Sequence, residues 1–194
     1  KERLINKNQP TRVIPDGVTH SANMADPEKW IDPLGGYAYD SFNPDALLKT
    51  TVKNGRVVFP GGMSYAMLVL PTHHQLLPAP NLMSVPVAKK LLELLQNGAT
   101  IIMGRSYDQT NSLNDDADTL RSILYKIYKG GYKGKLVNAP YVSPDFRQYG
   151  LTRDLQVIGA QRQLAWTHRR TDKEDIYFIS NQAGKAGTYL ISLR

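Results

Sequence analysis

Between Tyr65 and Val137 the apolar residues switch repeatedly between strand-like runs and helical spacing, and this alternation restricts the fold more than any other feature. Tyr65 to Leu70 is a continuous apolar run stopped by Pro71, the pattern of a strand buried on both faces, and it is read as the central strand of a sheet. Ser84 then offers a cap and Pro86 suits the first turn of a helix. Ala88, Leu91, Leu92 and Leu95 recur along that helix at helical spacing until Gly98. Ala99 to Met103 forms a second apolar strand. Ala117, Leu120, Leu124 and Ile127 stripe a second helix that ends near Gly130 and Gly131, and Lys135 to Val137 is a third strand. Strand, helix, strand, helix, strand in this order predicts an α/β layer, a flavodoxin-like or Rossmann-like parallel sheet with flanking helices and right-handed crossovers.

Local signals frame that layer. Asn43-Pro44-Asp45 starts a short helix whose buried side is Ala46, Leu47 and Leu48, because Asn caps free amides and Pro fits the first helical position. Asn54-Gly55 separates two β-branched stretches, Thr50 to Val52 and Arg56 to Phe59, and predicts a tight hairpin. After residue 160 the helical period disappears. Gln163 to Arg170, Asp175 to Ser180 and Thr188 to Leu193 read as three strands of a C-terminal antiparallel β meander. The division expected is therefore an irregular arm or interdomain segment over 1–40, the α/β domain over 41–160, and antiparallel strands over 161–194 that could begin a β-sandwich.

Composition narrows the chemistry. The 194 residues contain no Cys, which excludes disulfides, thiolate metal ligands and a thiol nucleophile. Lys and Arg number 24 against 17 Asp and Glu, a net charge of +7 that favours encounter with acidic polymers without specifying one. The lysines near 126–135 suit a helix C-terminus, and no nucleic-acid recognition motif accompanies them. The longest apolar runs fall far below the roughly 20 residues that span a bilayer, and no signal segment precedes them. The chain begins at Lys1 rather than Met and is read as a piece of a longer protein.

Candidate site residues come from the carboxyl edge of the parallel strands, the usual binding edge of an open α/β sheet. The loop after Leu70 carries His73 and His74, and the loop after Met103 carries Arg105 and Asp108. His168, on the first late strand, completes the candidate ligand rim. No third ligand defines a metal site with the paired histidines, and an ion pair fixing the loop accounts for Arg105 and Asp108 without any ligand. Ser64 in Gly62-Met63-Ser64-Tyr65-Ala66 precedes its strand, unlike a nucleophile elbow. Neither G-x-G-x-x-G in a strand-turn-helix context nor a phosphate loop occurs.

Three blocks in order resemble one family: Gly36 to Leu48 (GYAYDSFNPDALL), Val52 to Tyr65 (VKNGRVVFPGGMSY) and Leu68 to Pro71. The late block Trp166-Thr167-His168-Arg169-Arg170, followed by Asp175 to Asn181, resembles the same family. The sequence over residues 30 to 182 is similar to the α-L-rhamnosidases of glycoside hydrolase family 106. The resemblance implies a larger parent with an upstream catalytic (β/α)8 barrel, then a glutamine-amidotransferase-like α/β domain, then β-sandwich modules. It implies that this chain is a non-catalytic accessory domain supporting the barrel in hydrolysis of terminal α-L-rhamnosides. No catalytic residue, cofactor or metal is assigned within the chain, while the parent is expected to use calcium and to be secreted or periplasmic. Partners would be the neighbouring barrel and β-sandwich domains and a carbohydrate, with neither nucleic acid nor a membrane span. The competing reading is a stand-alone carbohydrate- or polyanion-binding α/β module.

Overall fold

The computed structural model describes residues 35–70, 81–103, 107–110, 112–137, 145–159, 164–181 and 185–194. The chain divides into two compact units: Ser41–Tyr141, and Lys1–Asp40 together with Val142–Arg194. They are called here the α/β unit and the strand unit.

The α/β unit begins with α1 (Pro44–Leu48), where the Asn43 side chain accepts from the Ala46 N–H at 3.0 Å and Leu47 is buried. Strands β1 (Thr51–Lys53) and β2 (Arg56–Val58) form the expected hairpin. Asn54 and Gly55 both have positive φ, 52° and 76°, which a two-residue turn matched to strand twist requires. A third antiparallel strand, β3 (Ser64–Tyr65), pairs with β2, and Arg56 ties it down through the Ser64 hydroxyl at 3.1 Å and carbonyl at 2.9 Å.

Next come β4 (Leu68–Leu70), α2 (Val85–Gln96), β5 (Thr100–Met103), α3 (Ala117–Lys129) and β6 (Lys135–Val137). The three strands are parallel in the order β4-β5-β6. The run from Tyr65 to Leu70 is therefore not the central strand. It splits between β3 and β4, which belong to different sheets, and β5 takes the middle because it pairs on both edges. Ile101 and Met103 join Ala88, Leu91, Leu94 and Leu95 of α2 and Leu120, Ile123, Leu124 and Ile127 of α3 in one buried cluster. Ile102, one residue out of phase, is buried outside that cluster, as strand alternation demands. Both helices thus cover the Ile101 face. Sequential order with right-handed crossovers gives this one-sided arrangement. The doubly wound flavodoxin-like pattern needs a reversal of strand order, and none occurs among the described strands.

In the strand unit a 3-10 turn (Phe146–Tyr149) precedes β7 (Leu155–Ile158), β8 (Leu164–Arg170), β9 (Asp175–Asn181) and β10 (Leu190–Leu193). β8 and β9 form a seven-pair antiparallel hairpin around a turn in which the Thr171 hydroxyl accepts from the Glu174 N–H at 3.0 Å. The meander expected for the three late strands is not formed. β10 leaves β9 and pairs instead with β7, from Leu190 opposite Ile158 to Leu193 opposite Leu155. Asn181 diverts the chain: its side chain donates to the Lys185 carbonyl at 2.7 Å and accepts from the Tyr189 hydroxyl at 2.9 Å. The Arg194 N–H then bonds the Asp154 carbonyl, 3.1 Å away, beside β7.

Candidate functional site

Alternation along the β8–β9 hairpin puts Trp166, His168 and Arg170 on one face, with His168 opposite Tyr177 and Arg170 opposite Asp175. The His168 and Tyr177 rings stack with centroids 4.2 Å apart and planes 4° from parallel. Arg170 grips Asp175 with a two-point fork, Nε to Oδ1 at 2.8 Å and a terminal nitrogen to Oδ2 at 3.0 Å. Between these pairs, His168 Nε2 lies 2.7 Å from Asp175 Oδ1, and Nδ1 lies 2.8 Å from Asp154 Oδ1.

Asp154, at the start of β7, draws the remaining segments together. Its Oδ1 also meets the Arg194 guanidinium at 2.7 Å, its Oδ2 accepts from the Ala38 N–H at 3.2 Å, and its own N–H donates to the Gly36 carbonyl at 2.8 Å. The Tyr177 hydroxyl donates to the Arg194 carbonyl, 3.1 Å away. Five chain segments converge on one buried imidazole and one buried carboxylate. The His168 side chain is 6% exposed and that of Asp154 10%.

This geometry decides what the cluster can do. Both ring nitrogens of His168 lie within hydrogen-bond distance of a carboxylate oxygen, so both polar edges of the ring are occupied by the protein's own acids. A catalytic dyad of Asp and His needs a nucleophile on the second nitrogen, and here that nitrogen meets another carboxylate. The cluster is built to hold strands together. Its Arg170 fork, and after it His168, hold the Asp175 carboxyl below the usual carboxylate range, and Arg147 brings Asp145 down to about 2.

A pH dependence follows from these shifts. Both carboxyls titrate lower in the folded chain than in the unfolded one, so the unfolded chain binds more protons as the pH falls below about 4. Their stabilisation is complete above that value and disappears as the pH drops toward 2. Urea melts followed by tryptophan fluorescence are expected to show a midpoint that falls from pH 4 to 2.5, below its value at pH 5. A midpoint as high at pH 2.5 as at pH 5 would contradict the assignment.

Of the other candidates, His73, His74 and Arg105 lie outside the described residues. Asp108 is exposed in the loop after β5. The Asn81 side-chain amide donates to its carboxylate, and its N–H donates to the Asn81 carbonyl at 3.2 Å. Asp115, further along the same loop, accepts from the Val85 N–H at 2.8 Å and so caps α2. The loop is thus laced to the start of that helix. Asp108 and His168 belong to different units. Asp154, Arg147, Arg153 and Arg194 are not among the residues that the sequence singles out. The Arg170–Asp175 pair was legible from its spacing across a short turn, whereas no local signal links Asp154 to His168. Among the described residues no group of three or more His, Asp or Glu side chains could hold a metal ion.

Comparison with known proteins settles the lineage. The sequence profile of the α-L-rhamnosidases of glycoside hydrolase family 106 matches residues 19–194, nearly the whole chain. The chain belongs to this α-L-rhamnosidase family. A Formosa agariphila protein named "Putative beta-glucuronidase" is 28% identical over 151 residues, covering 75% of this chain and 12% of that protein. The solved structure of a rhamnosidase from Novosphingobium sp. PP1Y superposes with a TM-score of 0.63 at 21% identity, over 83% of this chain and 15% of that one; at that identity the likeness shows a shared fold. The rhamnosidase-family chain thus spans about an eighth to a seventh of the length of these two relatives. No helix among its described residues is long and apolar enough to cross a membrane.

Proposed function

We propose that this chain is a non-catalytic accessory part of a larger α-L-rhamnosidase, supporting a catalytic barrel that hydrolyses terminal α-L-rhamnosides. The observation that carries the reading is coverage: 12% and 15% of the two relatives, where a (β/α)8 barrel alone takes about 250 residues. The state of the acids adds support. Glycoside hydrolysis uses two carboxyl groups that reach a scissile bond, while Asp154 and Asp175 are spent on His168 and arginines, and Asp145 on Arg147. On this reading the α/β unit is the amidotransferase-like layer of the parent, kept for its architecture, since a chain without Cys lacks that chemistry's nucleophile. The parent acts on external glycans, secreted or periplasmic, and its calcium, where it uses one, is bound outside this chain.

Hydrolysis of an aryl α-L-rhamnoside by the purified chain and by the full-length parent, each with and without calcium, tests this. Turnover by the parent alone is the expected result. Turnover by the 194-residue chain above a heat-denatured control would overturn the accessory role, and a parent inactive on every α-L-rhamnoside offered would overturn the activity.

A further inference from the structure

Within the strand unit, the 3-10 turn, β7 and β10 line an open cleft of about 330 Å³ whose lining includes Arg147, Thr152, Arg153, Gln156, Ser192 and Arg194 and no acidic residue. Asp145 grips Arg147 through Nε, 2.8 and 3.1 Å from its two oxygens, and through one terminal nitrogen. The Arg147 side chain nevertheless stays 69% exposed. Arg153 lies over the Tyr37 ring, its guanidinium carbon 5.2 Å from the centroid. That ring is itself fixed, packed on Phe146 at 5.0 Å with its hydroxyl accepting from the Phe146 N–H at 3.2 Å. Arg194 is held by Asp154 at 2.7 Å and remains 42% exposed.

All three cations are thus oriented before any ligand arrives, which lowers the ordering cost of binding. The strand unit as a whole carries thirteen Lys and Arg against eleven Asp and Glu, and Asp145 and Asp154 offset part of the charge on Arg147 and Arg194, so attraction for an anion rests on the guanidinium edges left exposed at the cleft. Planar guanidinium forks match carboxylate and sulfate oxygens. Thr152, Gln156 and Ser192 add hydroxyl and amide groups, the partners that sugar hydroxyls use. A cleft near the lower end of ligand-pocket volumes suits one sugar ring rather than a polymer groove.

We propose that this cleft binds the anionic substituent, carboxylate or sulfate ester, of an acidic glycan. That the ligand is a glycan rests on the function proposed above; that it is an anion rests on the arginines. The cleft then serves as a subsite that holds charged polysaccharide near the parent's barrel.

Amide chemical shifts of the 194-residue chain should be followed during titration with methyl β-D-glucuronoside, the 6-sulfate of methyl β-D-glucoside, methyl β-D-glucoside itself and inorganic sulfate. Saturable shifts at Thr152, Gln156 and Ser192 are expected with the glucuronoside, the sulfated sugar or both, and which of them binds tells carboxylate from sulfate ester. Arg147→Gln should weaken that binding roughly tenfold, the loss of one hydrogen bond to a charged group, while Lys126→Gln in the α/β unit changes nothing. Arg147→Lys, which keeps the charge and loses the fork, should fall between. Because Arg147 is exposed, native tryptophan emission of Arg147→Gln separates lost binding from lost fold. Equal shifts with the neutral glucoside, an affinity indifferent to Arg147→Gln, or sulfate bound as tightly as either charged sugar, an adventitious ion only, would each overturn the proposal. The readout involves no hydrolysis, so a chain that binds acidic sugars but derives from an inactive parent refutes the rhamnosidase reading alone, and an active parent whose chain binds none of them refutes the cleft alone.

Discussion

Replacing Gly134 with alanine is expected to destabilise the α/β unit by about 3 kcal/mol, the upper end of overpacking costs. The new Cβ would fall 2.6 Å from the Leu95 carbonyl oxygen and closer still to that of Ala99. Both oxygens are backbone, and neither can rotate aside. Each also accepts a hydrogen bond that fixes the spot: the Gly134 N–H donates to Leu95 at 2.8 Å, and the Lys135 N–H donates to Ala99 at 3.0 Å. Relieving the clash means pulling β6 away from the end of α2 and losing those bonds. Gly134 has no positive φ, so the effect is one of space and not of backbone conformation. Hydrogen exchange of the α2 and β5 amides is the measurement, since it isolates this unit from the other. Protection lowered by roughly a hundredfold would match the cost; protection within threefold of the parent chain would show that the α2–β6 junction yields.

His168→Ala is expected to be the second large effect, about 3 kcal/mol on the strand unit. Truncation removes the imidazole that bridges Asp154 and Asp175 and the ring stacked on Tyr177. Asp154 keeps Arg194, which limits the cost of leaving that carboxylate buried without the imidazole. Tryptophan fluorescence, to which Trp166 on the same face contributes with Trp30, reports the transition. Asp154→Asn supplies the double-mutant cycle: the two changes should be strongly non-additive, as contacting groups of one network are. Additive losses, or a His168→Ala chain that melts within about 0.5 kcal/mol of the parent, the range of ordinary surface changes, would remove His168 from its place at the centre of the unit.

The two halves of the chain differ in how much of this could be read without coordinates. In the α/β unit, Ser84 and Pro86 open α2, Asn54 and Gly55 turn the hairpin, and Ala88, Leu91 and Leu95 face the core as their spacing requires. Each is a short-range property of the chain. The strand unit was less legible because its pairings span long separations. β10 was placed after β9 on proximity in sequence, yet it joins β7 more than thirty residues back.

The amino-acid sequence by itself did not determine β7 or the 3-10 turn, but it determined the helices and the hairpin of the α/β unit, two further strands of that unit, three strands of the strand unit, the absence of thiol chemistry and the family. Those depend on local spacing, capping residues, composition and motif order, all of which act within a turn or two of the chain. Only the tertiary structure decided that β5 is central, that both helices cover one face, and that Asp154, His168, Asp175 and Arg194 meet. It alone gathered Arg147, Arg153 and Arg194 onto one cleft. Such arrangements arise where distant segments bury against one another and must satisfy each other's charges, and no local pattern encodes which distant partner a buried carboxylate will find.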